Sequence, residues 1–201
     1  MLAGSDSTAI YLRAVLYYLL KNPPTLSKLL SELRTLEASH QTLGPITWKQ
    51  TQSLTYLDAC IKEAGRLHPV NSTLLERVVS ETGLEVQGHF LPPGTVVGIN
   101  PWVSHRDHEL FGADADDWRP ERWLTNEKTQ LEWEKSTLTF GSGNRSCIGK
   151  HIAKLEIYKL IPELLKHFEI ALVHPERDWT VEGFWVAKQK DMNVTLRRRN
   201  E

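Results

Sequence analysis

The chain has 201 residues, of which 40% are hydrophobic and 24% are charged, and its formal net charge at pH 7 is −1. This is the composition of an ordinary globular protein with enough chain for one sizeable core. A near-neutral charge without interleaved basic and aromatic residues is atypical of nucleic-acid-binding proteins, so we expect no nucleic-acid partner.

The first third of the chain has the periodicity of helices. One helix is predicted over residues 8–20, and Asn22-Pro-Pro24 ends it, because a residue before proline avoids helical geometry. A second helix carries leucines at helical spacing: Leu26, Leu29, Leu30, Leu33 and Leu36. After the break at Gly44-Pro45, Thr47 is predicted to cap a short turn, and a third long helix stops before Pro69.

The middle of the chain changes character. Short β-branched runs between glycines and prolines predict strands at residues 78–79, 84–86 and 95–97. Residues 105–133 are polar, aromatic and weakly periodic, so we expect an ordered meander there rather than a flexible linker.

The last third predicts one helix and a closing pair of strands. The helix follows Cys147 and should bend at Pro162, which removes one backbone hydrogen bond. Residues 169–173 and 193–196 are expected to pair as strands. The predicted fold class is mainly α with small β-sheets, in one domain over residues 1–201 without an internal boundary.

The most informative stretch is a glycine-punctuated loop, Phe140-Gly-Ser-Gly-Asn-Arg-Ser-Cys-Ile-Gly-Lys150. Gly141 and Gly143 allow a tight turn and a close approach to a flat ligand, because they lack a Cβ. Apolar residues recur at helical spacing from Ile148 onward, which places Cys147 at the start of a helix. Unpaired amides and the helix dipole favour a thiolate there, and a thiolate suits an axial ligand of iron.

The chain has only one other cysteine, Cys60, which we expect to pack inside the third helix. Two cysteines are too few for a disulfide framework, and reduced thiols favour an intracellular location. The longest apolar run, residues 14–20, is too short to span a bilayer.

The cysteine loop resembles the haem-binding signature of the cytochrome P-450 superfamily, Phe-x-x-Gly-x-Arg-x-Cys-x-Gly. Every fixed position matches: Phe140, Gly143, Arg145, Cys147 and Gly149. The resemblance implies a haem b cofactor (iron-protoporphyrin IX) with Cys147 as the metal ligand, since this family is cysteine-ligated.

The same resemblance gives the other loop residues a role. Phe140 would cover the sulfur, Arg145 would bind a haem propionate, and Gly141 and Gly149 would let backbone and helix approach the porphyrin. The alternative is a buried structural cysteine behind a polar loop, which a five-residue match at the family's spacing disfavours.

A second motif lies in the third long helix, where Glu63 and Arg66 are three residues apart and face each other. Alone, such a pair reads as a solvated surface pair worth about 0.5 kcal/mol. Residues 118–123, Trp-Arg-Pro-Glu-Arg-Trp, supply a further motif in the family's order. The resemblance implies that Arg122 joins the pair in a buried structural network, which holds the meander so that the thiolate points correctly.

Residues 3–8, Ala-Gly-Ser-Asp-Ser-Thr, resemble the oxygen-binding groove of the family. Asp6, Ser7 and Thr8 are the candidate catalytic residues, because a carboxylate beside a hydroxyl can relay protons towards bound dioxygen. Ser7 stands where the family usually has threonine, and it lacks the stiffness of a β-branched side chain. The alternative is that these polar residues simply cap a helix.

Arg77 matches the family's second propionate-binding arginine. Residues 70–75 and 184–185 would line the substrate cavity, with ordinary core packing as the alternative. Residues 64–69, 94–102 and 120–123 resemble the filamentous-fungal members near the pisatin-demethylase-like enzymes.

The resemblance covers almost the whole chain but only the C-terminal half of a family member. We therefore expect a fragment or truncated product that lacks the membrane anchor, the early helices and most of the roof of the substrate cavity. Full-length relatives typically lie at the endoplasmic reticulum membrane, so this chain would meet a membrane only through a segment that it lacks.

The function implied is that of a haem-thiolate monooxygenase segment, which inserts one atom of dioxygen into a small, apolar organic substrate. Electrons would come from an NADPH-dependent flavoprotein reductase docked near Lys150 and Lys154. A non-catalytic haem-binding remnant of such an enzyme is the main alternative, and an isomerase or dehydratase of the same family is a third.

Overall fold

A computed structural model describes residues 2–39 and 44–199 of the chain. Its helices are α1 (Leu2–Lys21), α2 (Pro23–Ser39), α3 (Trp48–Thr51), α4 (Thr55–Leu67), α5 (Pro101–Ser104), α6 (His108–Phe111), α7 (Glu127–Ser136) and α8 (Lys150–His167). Its strands are β1 (Leu75–Val78), β2 (Leu84–Val86), β3 (His89–Leu91), β4 (Val96–Ile99), β5 (Phe168–Leu172), β6 (Thr180–Gly183), β7 (Ala187–Lys190) and β8 (Val194–Arg198).

The strands form antiparallel pairs, β1 with β4, β2 with β3, β5 with β8, and β6 with β7. The predicted fold class, mainly α with small β-sheets, is confirmed. The terminal pairing is confirmed as well, since Ile170 lies opposite Leu196 in the β5–β8 register.

The core lies where α1 packs against α4 and α8, with α2 along one side. Apolar side chains of these helices are fully or almost fully buried there: Ile10, Val15, Leu19, Leu29, Leu57, Ile61, Ile157 and Ile161. Burial of one such side chain stabilises the fold by about 1.5–3 kcal/mol. Within the described residues, no helix combines the length and apolar character needed to cross a membrane.

Local signals placed several helix ends, although α1 begins at Leu2 rather than at the predicted residue 8. α2 begins at Pro23, where a missing backbone N–H costs nothing, and Thr47 and Gln50 form the reciprocal capping box that opens α3. The start of α4 is different, because its N-cap Leu54 has no capping side chain. Glu32 of α2 accepts hydrogen bonds from the backbone N–H groups of Tyr56 (2.8 Å) and Leu57 (3.0 Å) instead.

Several regular elements were not predicted, among them α7 and the β6–β7 hairpin. The meander over residues 105–133 runs into a ten-residue helix, α7, whose N-cap Asn126 accepts a hydrogen bond from Thr129 N–H. None of the α7 residues is fully buried, so the helix lacks the apolar stripe that would have revealed it. The β6–β7 hairpin was missed for a similar reason, because it mixes exposed polar residues with only two buried ones, Ala187 and Gln189.

Two other segments approach α4 closely at Gly65. A Cβ at Gly65 would lie 2.8 Å from Cζ of Tyr11 in α1 and 2.9 Å from Cγ2 of Thr139, in the segment that precedes the cysteine loop. The helix therefore needs a residue without a side chain at this position.

We predict that Gly65→Ala destabilises the chain by about 1–3 kcal/mol, because the added methyl displaces Tyr11 or Thr139 from a packed position. Gly4→Ala is the matched control, since a Cβ at Gly4 of α1 meets nothing within 4 Å. That substitution should be neutral or stabilising, as alanine favours helix. Urea unfolding measures both, and equal effects at the two sites would contradict the packing argument.

Candidate functional site

The cysteine loop is closed by its own backbone. Gly141 and Gly143 have φ angles of 68° and 63°, a region that favours glycine. The N–H of Gly141 donates to Leu138 O (2.9 Å), and the N–H of Cys147 donates to Phe140 O (2.8 Å). The loop therefore returns on itself and presents the cysteine at a fixed place.

Cys147 lies slightly earlier than its predicted position at the start of a helix. Gly149 is the N-cap of α8, and the helix begins at Lys150, whose N–H donates to Cys147 O at 3.4 Å. The cysteine is thus part of the turn that leads into α8. A Cβ added at Gly149 would come within 3.9 Å of Cys147 Sγ, so the glycine keeps the space beside the sulfur open.

The two cysteines have opposite environments. Cys147 is exposed, whereas Cys60 is 0% exposed in α4. Burial raises the pKa of the Cys60 thiol well above its usual value, and the nearby Glu121 carboxylate adds to the effect. Of the two thiols, Cys147 is therefore the accessible one, and its role as a metal ligand stays a prediction.

Glu63 lies at the centre of a fully buried polar network. Its two carboxylate oxygens accept hydrogen bonds from Arg66 Nη2 (2.8 Å), Arg66 Nε (2.9 Å) and Arg122 Nε (3.2 Å). Trp123 Nε1–H (2.9 Å) and the backbone N–H of Arg119 (3.1 Å) complete the set. The structure thus brings the three predicted residues together and adds two donors that the motif did not reveal.

The two guanidinium groups of this network reach further into the meander. Arg66 Nη1 donates to the carbonyl oxygens of His105 (2.7 Å) and Ala115, and Arg122 Nη1 and Nη2 donate to those of Phe111 (2.6 Å) and Asp114 (2.8 Å). The side chains of Glu63, Arg66 and Arg122 are all 0% exposed. The charges are therefore hydrogen-bonded in full rather than solvated, which excludes the surface-pair alternative.

The candidate oxygen groove occupies the start of α1. Exposure falls along the three predicted residues, from exposed Asp6 through half-buried Ser7 to Thr8, which is 8% exposed. Tyr11, one turn after Ser7 on the same helix face, packs its ring 6.0 Å from that of Phe140. The groove helix and the cysteine loop are therefore neighbours.

Comparison with known proteins decides the family. The sequence matches the family model described as cytochrome P450 over residues 1–196. The chain belongs to the cytochrome P450 family.

Several named P450 monooxygenases are close relatives. The chain is 50% identical over 198 residues to cicH of Emericella nidulans, which covers 98% of this chain and 40% of that protein. It is 45% identical to pkfB of the same organism (98% and 38%) and 47% identical to mpaDE of Penicillium roqueforti (99% and 24%). The chain thus spans 40% or less of the length of these curated relatives.

The P450 family binds haem, and the residues around Cys147 fit that group. The sulfur is exposed next to Ile148, which is 100% exposed and offers an apolar surface to a porphyrin. A Cβ at Gly143 would meet nothing within 4 Å, so the loop leaves room for a flat ligand. Arg77 and Arg145 are both exposed, and Arg77 Nη2 donates to Ser142 O of the loop at 3.1 Å. A cysteine sulfur, an apolar face and two guanidinium groups suit the iron, ring and propionates of haem.

The two segments expected at the substrate cavity are joined in the structure. Asn71 and Val186 form an isolated antiparallel bridge, and Ser72 N–H donates to Trp185 O at 3.2 Å. The side chains of Phe184 and Trp185 are 84% and 70% exposed. Neither ring is packed in the core that the described residues form, and their place in a cavity lining stays a prediction.

A cleft of about 750 Å³ opens between the cysteine loop, α4 and α8. Phe140, Gly141, Lys150 and Lys154 are among its lining residues. Lys62, on the α4 side, is held by Asp58 (2.7 Å) and Glu134 (2.5 Å). The lysines that follow the thiol thus border a concave surface next to the loop.

We predict that Arg66→Lys lowers the free energy of unfolding by about 3 kcal/mol. An ammonium group cannot replace the two parallel bonds to Glu63 and the bonds to backbone carbonyls, which leaves buried groups unpaired. Urea unfolding is the measurement. Arg119→Lys is the matched control, because the Arg119 side chain is 50% exposed and pairs with Asp114 at 2.8 Å. A loss in Arg66→Lys no larger than that of the control would contradict the network's role.

Proposed function

We propose that this chain forms the haem-binding part of a haem-thiolate monooxygenase, which inserts one atom of dioxygen into a small organic substrate. The observation that carries the proposal is the exposed Cys147 thiol in a glycine loop beside wholly exposed Ile148, while Cys60 is buried. The names of the relatives, all cytochrome P450 monooxygenases, support the reaction class.

Cys147 would hold haem through its sulfur, and the side chains of Arg77 and Arg145 would bind the propionates. When bound, the haem supplies the iron chemistry that activates dioxygen. The loop hydrogen bonds to Phe140 O and Leu138 O hold the cysteine backbone in place, so little reorganisation is needed when the cofactor binds.

Proton delivery is assigned to the start of α1. The exposed carboxylate of Asp6 can exchange protons with solvent, and the Ser7 hydroxyl, 100° further round the helix and less exposed, can hold a proton nearer the interior. Thr8 is more buried still and could replace Ser7 in this role. The rings of Phe184 and Trp185 would contact an apolar substrate.

The test is the ferrous carbon-monoxide spectrum of the chain purified with haem. We expect a thiolate-type Soret band in the wild-type chain and in Cys60→Ser, and its loss in Cys147→Ser, because serine cannot supply the soft anionic ligand. A thiolate-type band that survives in Cys147→Ser would refute the assignment. A normal band without any product formation, when a reductase and substrates are supplied, would favour the non-catalytic remnant.

The electron donor is proposed to be an NADPH-dependent flavoprotein reductase that docks over the cleft beside Lys150 and Lys154. Basic side chains there would steer an acidic partner towards the thiolate side, and this attraction is screened by salt. The reduction rate should fall with ionic strength and with Lys150→Glu. Lys188→Glu on β7 is the control, because Lys188 does not border the cleft. A reduction rate that changes neither with ionic strength nor with Lys150→Glu would exclude this docking face.

A further inference from the structure

The last turn of α4 ends in carbonyl groups that are capped by side chains from distant parts of the chain. A helix leaves its final carbonyls without partners inside the helix. Gly65 O accepts from Thr139 Oγ1 (3.0 Å), and Leu67 O accepts from Arg106 Nη2 (2.6 Å). Between them, Arg66 O lies 3.0 Å from Nδ1 of His105. Two of these capping residues are also connected to the cysteine loop: His105 accepts a hydrogen bond from Leu138 N–H, and Thr139 directly precedes Phe140.

The hydrogen bonds of His105 define its protonation. The backbone N–H of Leu138 donates to His105 Nε2 at 2.6 Å, so this nitrogen is the acceptor. Nδ1 must then carry the ring hydrogen and donate it to Arg66 O. Burial, with Arg66 and Arg106 nearby, lowers the pKa of His105 to about 4, so the ring is neutral at pH 7. It is also 0% exposed.

Hydrogen bonds linked through the backbone lead from this histidine to the amide of Cys147. His105 holds the N–H of Leu138, and Leu138 O accepts from Gly141 N–H at 2.9 Å. Phe140 O then accepts from Cys147 N–H at 2.8 Å. Thr139, between Leu138 and Phe140, is tied to α4 through its hydroxyl. The segment that enters the loop is therefore attached to the end of α4 at two successive residues, Leu138 and Thr139.

We propose that His105 and Thr139 are positioning residues, which fix the cysteine loop on the C-terminal carbonyls of α4 and so set where the Cys147 thiol stands. The role differs from that of the Glu63 network, because it uses the ring of His105 and the main-chain carbonyl of Arg66, whereas the network binds the main-chain carbonyl of His105 through the Arg66 guanidinium group. The effect of this attachment on Cys147 as a haem ligand rests on the proposed function, whereas the attachment of the loop to α4 does not.

Two substitutions test the two hydrogen bonds of the His105 ring separately. In His105→Asn the amide nitrogen takes the place of Nδ1, so the donor to Arg66 O is kept and the acceptor for Leu138 N–H is lost. In His105→Gln the amide oxygen reaches the place of Nε2, so the acceptor is kept. Thr139→Ser and Thr139→Val form a second pair, in which only serine keeps the hydroxyl that donates to Gly65 O.

Two measurements on the full chain without haem report on the loop. Amide hydrogen exchange over residues 138–147 follows the attachment directly. The rate at which a thiol reagent modifies Cys147 reports the loop, while modification of buried Cys60 reports global opening in the same molecule. Loss of one hydrogen bond should speed exchange of the Leu138 amide about tenfold in His105→Asn relative to His105→Gln. Thr139→Val should likewise exchange faster than Thr139→Ser, with Cys60 protected throughout.

Equal exchange in both members of each pair would overturn the proposal, as would changes at Cys147 that always accompany modification of Cys60. If the His105 variants fail to fold, which rapid Cys60 modification would reveal, the Thr139 pair still decides.

A last arm uses the haem-loaded chain. There His105→Asn should show a smaller share of thiolate-type Soret band than His105→Gln at equal haem content. Equal shares would refute the effect on the ligand. Absence of the band from the wild-type chain would instead refute the proposed function, while the exchange data would still test the attachment.

Discussion

The buried carboxylate of Glu63 is the interaction on which the rest of the structure depends. A charge at 0% exposure costs several kcal/mol to desolvate, and five donors from four residues compensate it here. Three of these residues, Arg119, Arg122 and Trp123, belong to one short stretch of the meander. A single helix residue thus fixes a segment that is about 60 positions away in the sequence.

The same network also fixes the start of the meander, which in turn positions the cysteine loop. Once Arg66 binds the carbonyls of His105 and Ala115, the histidine ring lies against the end of α4, within reach of Leu138. The cysteine loop then rests on α4 through backbone and side-chain hydrogen bonds, and Phe140 adds an apolar contact with the core. This explains how Cys147 can be exposed and still be held in place. A ligand for a metal needs both properties, since the sulfur must be accessible and its approach must be fixed.

The sequence predicted those parts of the fold whose signal is local. Thr47 and Gln50 indicate the start of α3, because both partners of the capping box lie within four residues of the sequence. The cysteine loop is likewise one continuous motif. The cap of α4 by Glu32 could not be predicted in this way, because a glutamate in the middle of another helix resembles any surface residue. His105 was hidden for the same reason. Its partners Arg66 and Leu138 lie 39 and 33 positions away, and a lone histidine in a polar stretch indicates neither.

The Glu63–Arg66 motif could be predicted only in part from the sequence. Spacing alone makes Glu63 and Arg66 neighbours on a helix but leaves open whether they face water. Only the fold buries them, and it does so by adding Trp123 Nε1–H and the Arg119 N–H, donors that no ion-pair pattern contains. Burial therefore follows from the hydrogen bonds available to the carboxylate rather than from its charge partners alone.

The two halves of the candidate site differ in how firmly they are held. The thiol side is fixed by contacts from α4, the meander and the loop itself, all between residues 63 and 147. The side proposed for proton delivery lies at the beginning of α1, where Gly4, Ser5 and Asp6 are exposed. At this end the helix contacts the loop through Tyr11, one turn later. The ligand geometry is thus fixed by contacts within residues 63–147, whereas Asp6 and Ser7 are linked to the loop along α1, through the contact of the Tyr11 ring with Phe140.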